Sequence, residues 1–326
     1  MSLSAGHVNP SRCYLFAFAG LGFPVMFALQ FINTLLNLKR RKWFWVLFFF
    51  LLLGIPTMLR HYALPLKSGK KHGKYSMISY NVRGLNIPGN VDQSEDSDLI
   101  LSALPANLPD LLFFQEFEFK KIRSNSSTLH QYLYRFPRPH SNSQIIFSTF
   151  PLHSGGKLSF NGEVFAVYAD VDFPGQTIKV INVHLRSLML TTERELLQPS
   201  IGKTVHRSNI RKIIRTFRKL RNAFKQRSHE VEALRALIDE SPYPVLLAGD
   251  FNDTPASYAF HQINSILNDA TFLRGWGWRK TYLESTFPLK IDHIFVSSHI
   301  HTRHYDQIFS AYSDHNPVGI SFDLSD

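Results

Sequence analysis

The chain has 326 residues, 44% of them hydrophobic, and a formal net charge of +11. That length suffices for one large domain or two ordinary ones. The single cysteine, Cys13, excludes an intramolecular disulfide and a thiolate metal cluster.

Apolar residues are concentrated at the N-terminus. Residues 13–38 and 43–59 contain no Asp, Glu, Lys or Arg and are rich in Leu and Phe. A bilayer core of about 30 Å needs roughly 20 apolar residues as helix, which the first run exceeds and the second approaches. Lys39, Arg40, Arg41 and Lys42 lie between them. Two apolar runs around a basic turn predict a transmembrane hairpin in residues 1–61, since a cleaved leader carries one short apolar region. Basic turns favour the cytoplasmic side, which places both ends of the hairpin and the domain that follows outside the cytoplasm. Arg60, Lys67, Lys70, Lys71 and Lys74 oppose that bias in part. Residues 62–74 contain Pro, Gly and Lys and are expected to be a linker. Residues 75–326 are expected to form a separate α/β domain.

Within that domain, short β-like apolar runs alternate with helical or turn-like stretches. Strands are predicted at 75–80, 111–114, 144–148, 164–173, 177–183, 245–248, 291–296 and 318–322. Helices are predicted at 98–104, 208–240 and 256–267. The longest of these has Ile210, Ile213, Ile214, Phe217, Leu220 and Phe224 at three-to-four spacing. Polar residues recur at the ends of the strand-like runs: Asn81, Glu116, His184, Asp250, Asn252 and Asp292, with His315 just before the last run. Strand ends are where a rigid sheet presents functional groups, so these residues are expected to share one site.

Their chemistry suits phosphate esters. Such hydrolysis requires an activated water, neutralisation of phosphoryl charge and help for the leaving group. Glu116, after the apolar run 111–114, is a candidate metal ligand because a carboxylate at a buried strand end is costly unless paired or metal-bound. With Asn81 it offers oxygen donors, which fit Mg²⁺ better than Zn²⁺. Asp250 and Asn252 alternate on an extended segment and are expected to face one phosphate. A Gly-Asn-Asp-Pro turn explains the same residues equally simply. His184 and His315 are candidates for acid-base work or charge stabilisation, and Asp292 for fixing a histidine tautomer. His293 is expected to be structural.

Taken together, Ser79–Arg83, Phe114–Glu116, Asn182–Leu185, Gly249–Asp253, Ile291–Ile294 and Ser313–His315 resemble, in order, the motifs of the endonuclease/exonuclease/phosphatase superfamily with the deoxyribonuclease-I-like fold. The resemblance covers about residues 75–324. It implies an α/β four-layer sandwich of two mixed β-sheets flanked by helices. It also implies Glu116 as principal metal ligand with Asn81 beside it and Asp314 in support, Mg²⁺ or Mn²⁺ as the ion, and a phosphodiester or phosphomonoester as substrate. By the same resemblance Asp250 aligns the water, Asn252 contacts the phosphate, His184 stabilises the transition state, and His315 is oriented by Asp292. Arg83, in the first motif, is a candidate substrate contact. The N-terminal hairpin resembles membrane-attached bacterial members, which implies the bacterial inner membrane.

The excess charge lies mainly between residues 203 and 227, where ten Lys and Arg occur without an acidic residue. Such a stripe suits a nucleic-acid backbone, an anionic lipid surface, or solvent alone. The expected partners are therefore the lipid bilayer and a phosphate-ester substrate, either nucleic acid or a phospholipid headgroup. No feature points to a protein partner. The contrasting expectation is an inactive membrane-tethered module that binds nucleic acid or anionic lipid.

Overall fold

The computed structural model describes residues 2–64, 72–87, 96–122, 129–137, 143–187, 207–272, 274, 277–285 and 288–325. Its helices are α1 (Leu15–Leu21), α2 (Phe23–Leu36), α3 (Arg41–His61), α4 (Asp96–Ser102), α5 (Arg207–Asp239) and α6 (Tyr258–Asn264). Strands β1 (Tyr62–Ala63), β2 (Tyr75–Asn81), β3 (Leu111–Gln115), β4 (Tyr134–Phe136), β5 (Ile145–Ser148), β6 (Leu152–Phe160) and β7 (Glu163–Phe173) occupy the first half. The second half adds β8 (Gln176–His184), β9 (Val245–Asp250), β10 (Asn268–Asp269), β11 (Gly277–Trp278), β12 (Asp292–Val296), β13 (Ile300–Gln307) and β14 (Val318–Leu324).

Twelve of these strands form two mixed sheets, ordered β13-β14-β2-β3-β5-β4 and β10-β12-β9-β8-β7-β6. Their central strands are buried along their length, which is why they read as near-continuous apolar runs. Met77, Phe113 and Ile320 of the first sheet pack against Val167, Val180 and Leu246 of the second. Helices cover the outer faces. Ile100 and Leu101 of α4 lie over the first sheet; Val231 and Leu234 of α5, with Phe260 and Ile263 of α6, lie over the second. This is an α/β fold with two mixed sheets flanked by helices.

Each sheet contains one parallel pair, and both pairs aim at one place. In β2–β3, Asn81 is opposite Gln115, immediately before Glu116. In β8–β9, His184 is opposite Asp250, and antiparallel β12 sets Asp292 opposite Asp250 on its other side. Between the sheets, Gln115 donates to Asn182 Oδ1 (2.6 Å), while Asn182 donates to the carbonyls of Phe114 (2.8 Å) and Ile145 (2.9 Å). These buried amide bonds lock the two sheets together directly beneath the site.

The N-terminal region departs from expectation. The run 13–38 is not one straight helix: α1 and α2 are bent by 74°. The break falls where Gly22 lacks a Cβ and Pro24 starts α2, a position where proline's missing N–H costs nothing. α1 does not lie beside the hairpin. Its Phe18 packs edge-on against Phe224 of α5 at 5.1 Å, and Thr254 Oγ1 donates to Gly20 O at 3.4 Å. Only α2, of 14 residues, pairs with α3, where Gln30 donates to Leu47 O at 3.0 Å. Among the described residues α3 alone is long and apolar enough to cross a membrane, running 41–61 rather than 43–59. The expected linker is also shortened, because Tyr62 and Ala63 pair with Trp278 and Gly277 as β1–β11. Its residues 65–71 lie outside the described residues, as do Lys203 and the side chains of Arg207, Arg211 and Lys212.

Candidate active site

Local backbone conformation turns the strand ends inward. Glu116 follows β3 with φ 51° and Asn252 follows β9 with φ 51°, both in the left-handed region that non-glycine residues rarely adopt. Each ends the extended run abruptly and redirects its side chain. Strain at two converging strand ends fits a functional site.

Asn81 is the hub of the arrangement. Its Nδ2 donates to Glu116 Oε1 (3.1 Å) and to Asp250 Oδ2 (3.0 Å), and its Oδ1 accepts from Arg83 N (3.0 Å). His184 Nε2 lies 3.6 Å from Glu116 and 3.8 Å from Asp250, is buried, and has no hydrogen-bond partner. Glu116 is 41% exposed at its side chain, so one carboxylate face is open to the cleft.

His315 forms the opposite wall. Its Nδ1 is 3.0 Å from Asp292 Oδ2, and its Nε2 is 3.7 Å from Asp250 Oδ2. Burial alone would lower its pKa, but the carboxylates of Asp292 and Asp250 outweigh burial and push it up to about 10. Burial raises the Asp250 carboxyl above the ordinary range, against the pull of His315. Asp250 Oδ1 also accepts from Asn252 N at 2.7 Å. Ser313 anchors the loop by donating to Asn81 O at 2.8 Å, which ties the turn before β14 to the end of β2.

The remaining predicted residues occupy different surroundings. Asn252 Nδ2 donates to Leu185 O (3.0 Å), so the group expected to contact a phosphate already ties two loops together. Arg83 Nη1 is 2.8 Å from Glu284 and 3.5 Å from Asp314, so two carboxylates balance its charge. Burial pushes the Asp314 carboxyl up, with His315 and Arg83 offsetting part of the effect. Asp314 thus faces the arginine at the rim. His293 is structural: fully buried, with Nε2 2.9 Å from Asp253 O.

Three supporting residues escaped the sequence reading. Thr281 Oγ1 accepts from Ile291 N (2.9 Å) and Asp292 N (3.1 Å), fixing the carboxylate that holds His315. Tyr282 covers the imidazole, with ring centroids 5.2 Å apart. Arg227, counted in the basic stripe, is 1% exposed, donates to Asn252 O, and lies 3.3 Å from Asp253. No strand-end pattern marks Thr281 or Tyr282. The one signal for Arg227 is that it falls on the helix face shared by Phe224 and Val231.

Asp250, Asp292 and His315 also lie close enough that one atom from each falls within 4.8 Å of the others. A protonated, doubly paired imidazole is a poor metal ligand, because ligation requires the neutral ring. The Glu116 carboxylate, held by Asn81 Nδ2 and open on one face, is the better donor.

Residues 78–315 match the Endonuclease/Exonuclease/phosphatase family. The chain belongs to this family. Its name spans nucleases and phosphatases, all of them hydrolases of phosphoester bonds. Solved structures of the same fold include TDP2 from D. rerio, humanized by 14 mutations, at 18% identity and a TM-score of 0.52, over 77% of this chain and 99% of that one. The human Nocturnin catalytic domain with bound sulfate aligns at 19% identity and TM-score 0.52, over 77% and 94% of the two chains. The 3′ phosphatase NExo from Neisseria, bound to a product DNA hairpin, aligns at 16% identity and TM-score 0.51, over 77% and 100%. No curated protein matches the chain. Residues 1–61 match a separate Domain of unknown function (DUF8431), which ends where α3 ends.

Proposed function

We propose that the protein is a membrane-anchored, divalent-metal-dependent phosphoesterase that uses Mg²⁺, or Mn²⁺ in its place, and acts on phosphodiester or phosphomonoester bonds near a membrane surface. The observation that carries this reading is the convergence, at the ends of both parallel strand pairs, of the open Glu116 carboxylate held by Asn81 and the buried Asp292–His315–Asp250 chain.

The donor set fits a hard cation. Glu116 would hold it, with Asn81 positioning that carboxylate, and the unpartnered His184 Nε2 beside Glu116 marks a position built for a ligand. A divalent ion there supplies Lewis-acid stabilisation of phosphoryl oxygens. His315, held charged by Asp292, donates to a phosphoryl oxygen. Asp250, raised by burial and gripped by Asn81 and Asn252 N–H groups, orients the attacking water and accepts its proton. His184 adds a second donor to charge developing between Glu116 and Asp250.

Anchoring rests on α3, whose 21 residues reach about 32 Å as helix. Its outward Trp43 and Trp45 stand beside the basic turn, as interfacial anchors do. Helix α5 favours a lipid surface over nucleic acid. Ile214 and Phe217 are exposed (51% and 55%), Phe217 lies 5.2 Å from Phe18 of α1, and Arg215, Arg218 and Lys219 are exposed around them. A basic helix with bare apolar residues beside a membrane hairpin suits an anionic bilayer interface. We place the catalytic domain outside the cytoplasm of the bacterial inner membrane, with the basic turn inside.

Hydrolysis of bis(p-nitrophenyl) phosphate by the full chain in detergent, with Mg²⁺ and with EDTA, tests the chemistry. Activity is expected with Mg²⁺ and its loss with chelator; turnover indifferent to chelator overturns the metal assignment. Protease treatment of intact spheroplasts tests the orientation, where a protected domain places it inside.

A further inference from the structure

A second cavity lies far from the catalytic cleft. It measures about 510 Å³ and is lined by Arg60, Asp269, Arg274, His301, Thr302 and Arg303, among others. Asp269 belongs to edge strand β10, opposite Phe295 of β12, whereas the catalytic end of β12 is Asp292. The cavity therefore opens on the other edge of the sheet. Arg60 enters it from the last turn of α3, with its guanidinium 4.7 Å over the Phe272 ring. Tyr62 and the half-exposed Trp278 stack edge-on at 5.3 Å just beyond.

The charges here do not balance. Asp269 is buried and is the carboxylate that faces Arg60 Nε (3.9 Å) and Lys290 Nζ (4.0 Å). Behind it, Thr271 Oγ1 donates to Asp269 (2.7 Å) and accepts from Lys290 Nζ and Arg279 Nη1 (both 2.8 Å). Arg274 stands at the wall, donating through Nη2 to Thr302 O (2.7 Å). Arg303 is neutralised separately by Asp323 at 2.6 Å. Among the described residues lining the cavity, Asp269 is the one carboxylate set against Arg60 and Arg274, while Lys290 behind the wall is also drawn by Asp292. Burial lowers the pKa of Arg274 and Arg279 and brings Lys290 down to about 7, the signature of buried positive charge short of counterions. Among the described residues, Arg60 Nε, Arg274 Nε and Thr302 Oγ1 have no hydrogen-bond partner.

We infer that this cavity binds the phosphate group of an anionic phospholipid headgroup, presented where α3 leaves the bilayer. The inference rests on the membrane reading of α3 given above. A phosphate between Arg60 and Arg274 supplies the missing negative charge and accepts from guanidinium N–H groups that line the wall. Its position at the exit of an apolar helix, flanked by interfacial aromatics, puts it at headgroup depth. The bound lipid would fix the angle between the hairpin and the catalytic domain without entering the active site.

Native mass spectrometry of the full chain, released from membranes in mild detergent with phosphatidylglycerol or phosphatidylcholine, is the test. Retention of one phosphatidylglycerol is expected, with phosphatidylcholine retained at least about tenfold less, because its trimethylammonium group would add a further cation beside Arg60 and Arg274. Arg274→Gln and Arg60→Gln are each expected to lose that preference by a similar factor while hydrolysis of a soluble diester is unchanged. If neither variant folds, the lipid preference of the wild-type chain still decides. Equal retention of both lipids overturns the proposal. So does inorganic phosphate that raises the melting temperature while phosphatidylglycerol is not retained, which assigns the cavity to a soluble phosphate. Flotation with pure phosphatidylcholine vesicles reads the hairpin separately. Failure there removes the membrane reading itself, whereas flotation without lipid preference removes only the headgroup site.

Discussion

Two fully buried histidines lie on opposite faces of β12, and their chemistry is opposite. On one face Asp292 reaches His315, which the adjacent carboxylates push up to about 10. On the other face His293 packs among Phe251, Phe260 and Phe295, and burial pushes it down to about 3. The residue type and the depth are the same. What differs is the face: the alternation of β12 points Asp292 toward His315 on one side and the His293 ring toward aromatics on the other. The catalytic face sets His315 against carboxylates, while the outer face sets His293 against aromatic rings.

The largest effect is expected from breaking the charged face. Asp292→Asn should leave His315 without its partner and reduce turnover on the order of 10²–10⁴-fold, with the fold preserved by circular dichroism. Unchanged turnover would remove His315 from the reaction. Glu116→Gln should weaken metal binding: the Mg²⁺ concentration for half-maximal activity should rise on the order of 10–100-fold, since even changes around a ligand have that effect. A titration curve identical to wild type would place the ion elsewhere.

The two histidines should also leave opposite marks on stability. The folded pKa of His293 lies below the ordinary 6.5, so its contribution is present above pH 6.5 and is lost as pH falls toward about 3. The loss is on the order of 4 kcal/mol, and His293→Phe should flatten that acid limb in denaturant titrations. His315 lies above 6.5, so its contribution is present below pH 6.5 and is lost as pH rises through about 10. His315→Gln should flatten the alkaline limb and leave the acid limb intact. A variant that alters the other limb instead would contradict the pairing. The smallest effect is expected at Thr281→Val, which removes the acceptor for Ile291 N and Asp292 N. About 1–3 kcal/mol of stability should be lost in urea unfolding.

How much of this was legible in the sequence varies by element. Buried strands such as β3 and β9 announced themselves as apolar runs, with boundaries close to those observed. β6 and β13 were missed, because both are edge strands with largely exposed, polar residues and carry no apolar signal. In α5 the apolar stripe predicted the helix but not its surroundings. Phe224 is buried against α1, whereas Phe217 meets Phe18 of α1 but stays 55% exposed and Ile214 is 51% exposed. The stripe outruns the protein surface it packs on. The bend at Gly22 was hidden for a related reason, since residues 13–38 are apolar whether they enter a bilayer or dock on α5.

The sequence by itself determined the strand-end positions of Asn81, Glu116, His184, Asp250 and Asp292, because alternation and burial along a strand are local properties. Their order also sufficed to suggest the family. Tertiary structure alone decided which groups touch. The pairing of β12 with β9, 42 residues earlier at Asp250↔Asp292, sets the charge of His315. Long-range packing turned Asn252 toward Leu185, neutralised Arg83 with Glu284 and buried Arg227 beneath the catalytic loop. Electrostatic energies depend on separations of a few ångströms between residues distant in the chain, and only the folded arrangement fixes those distances.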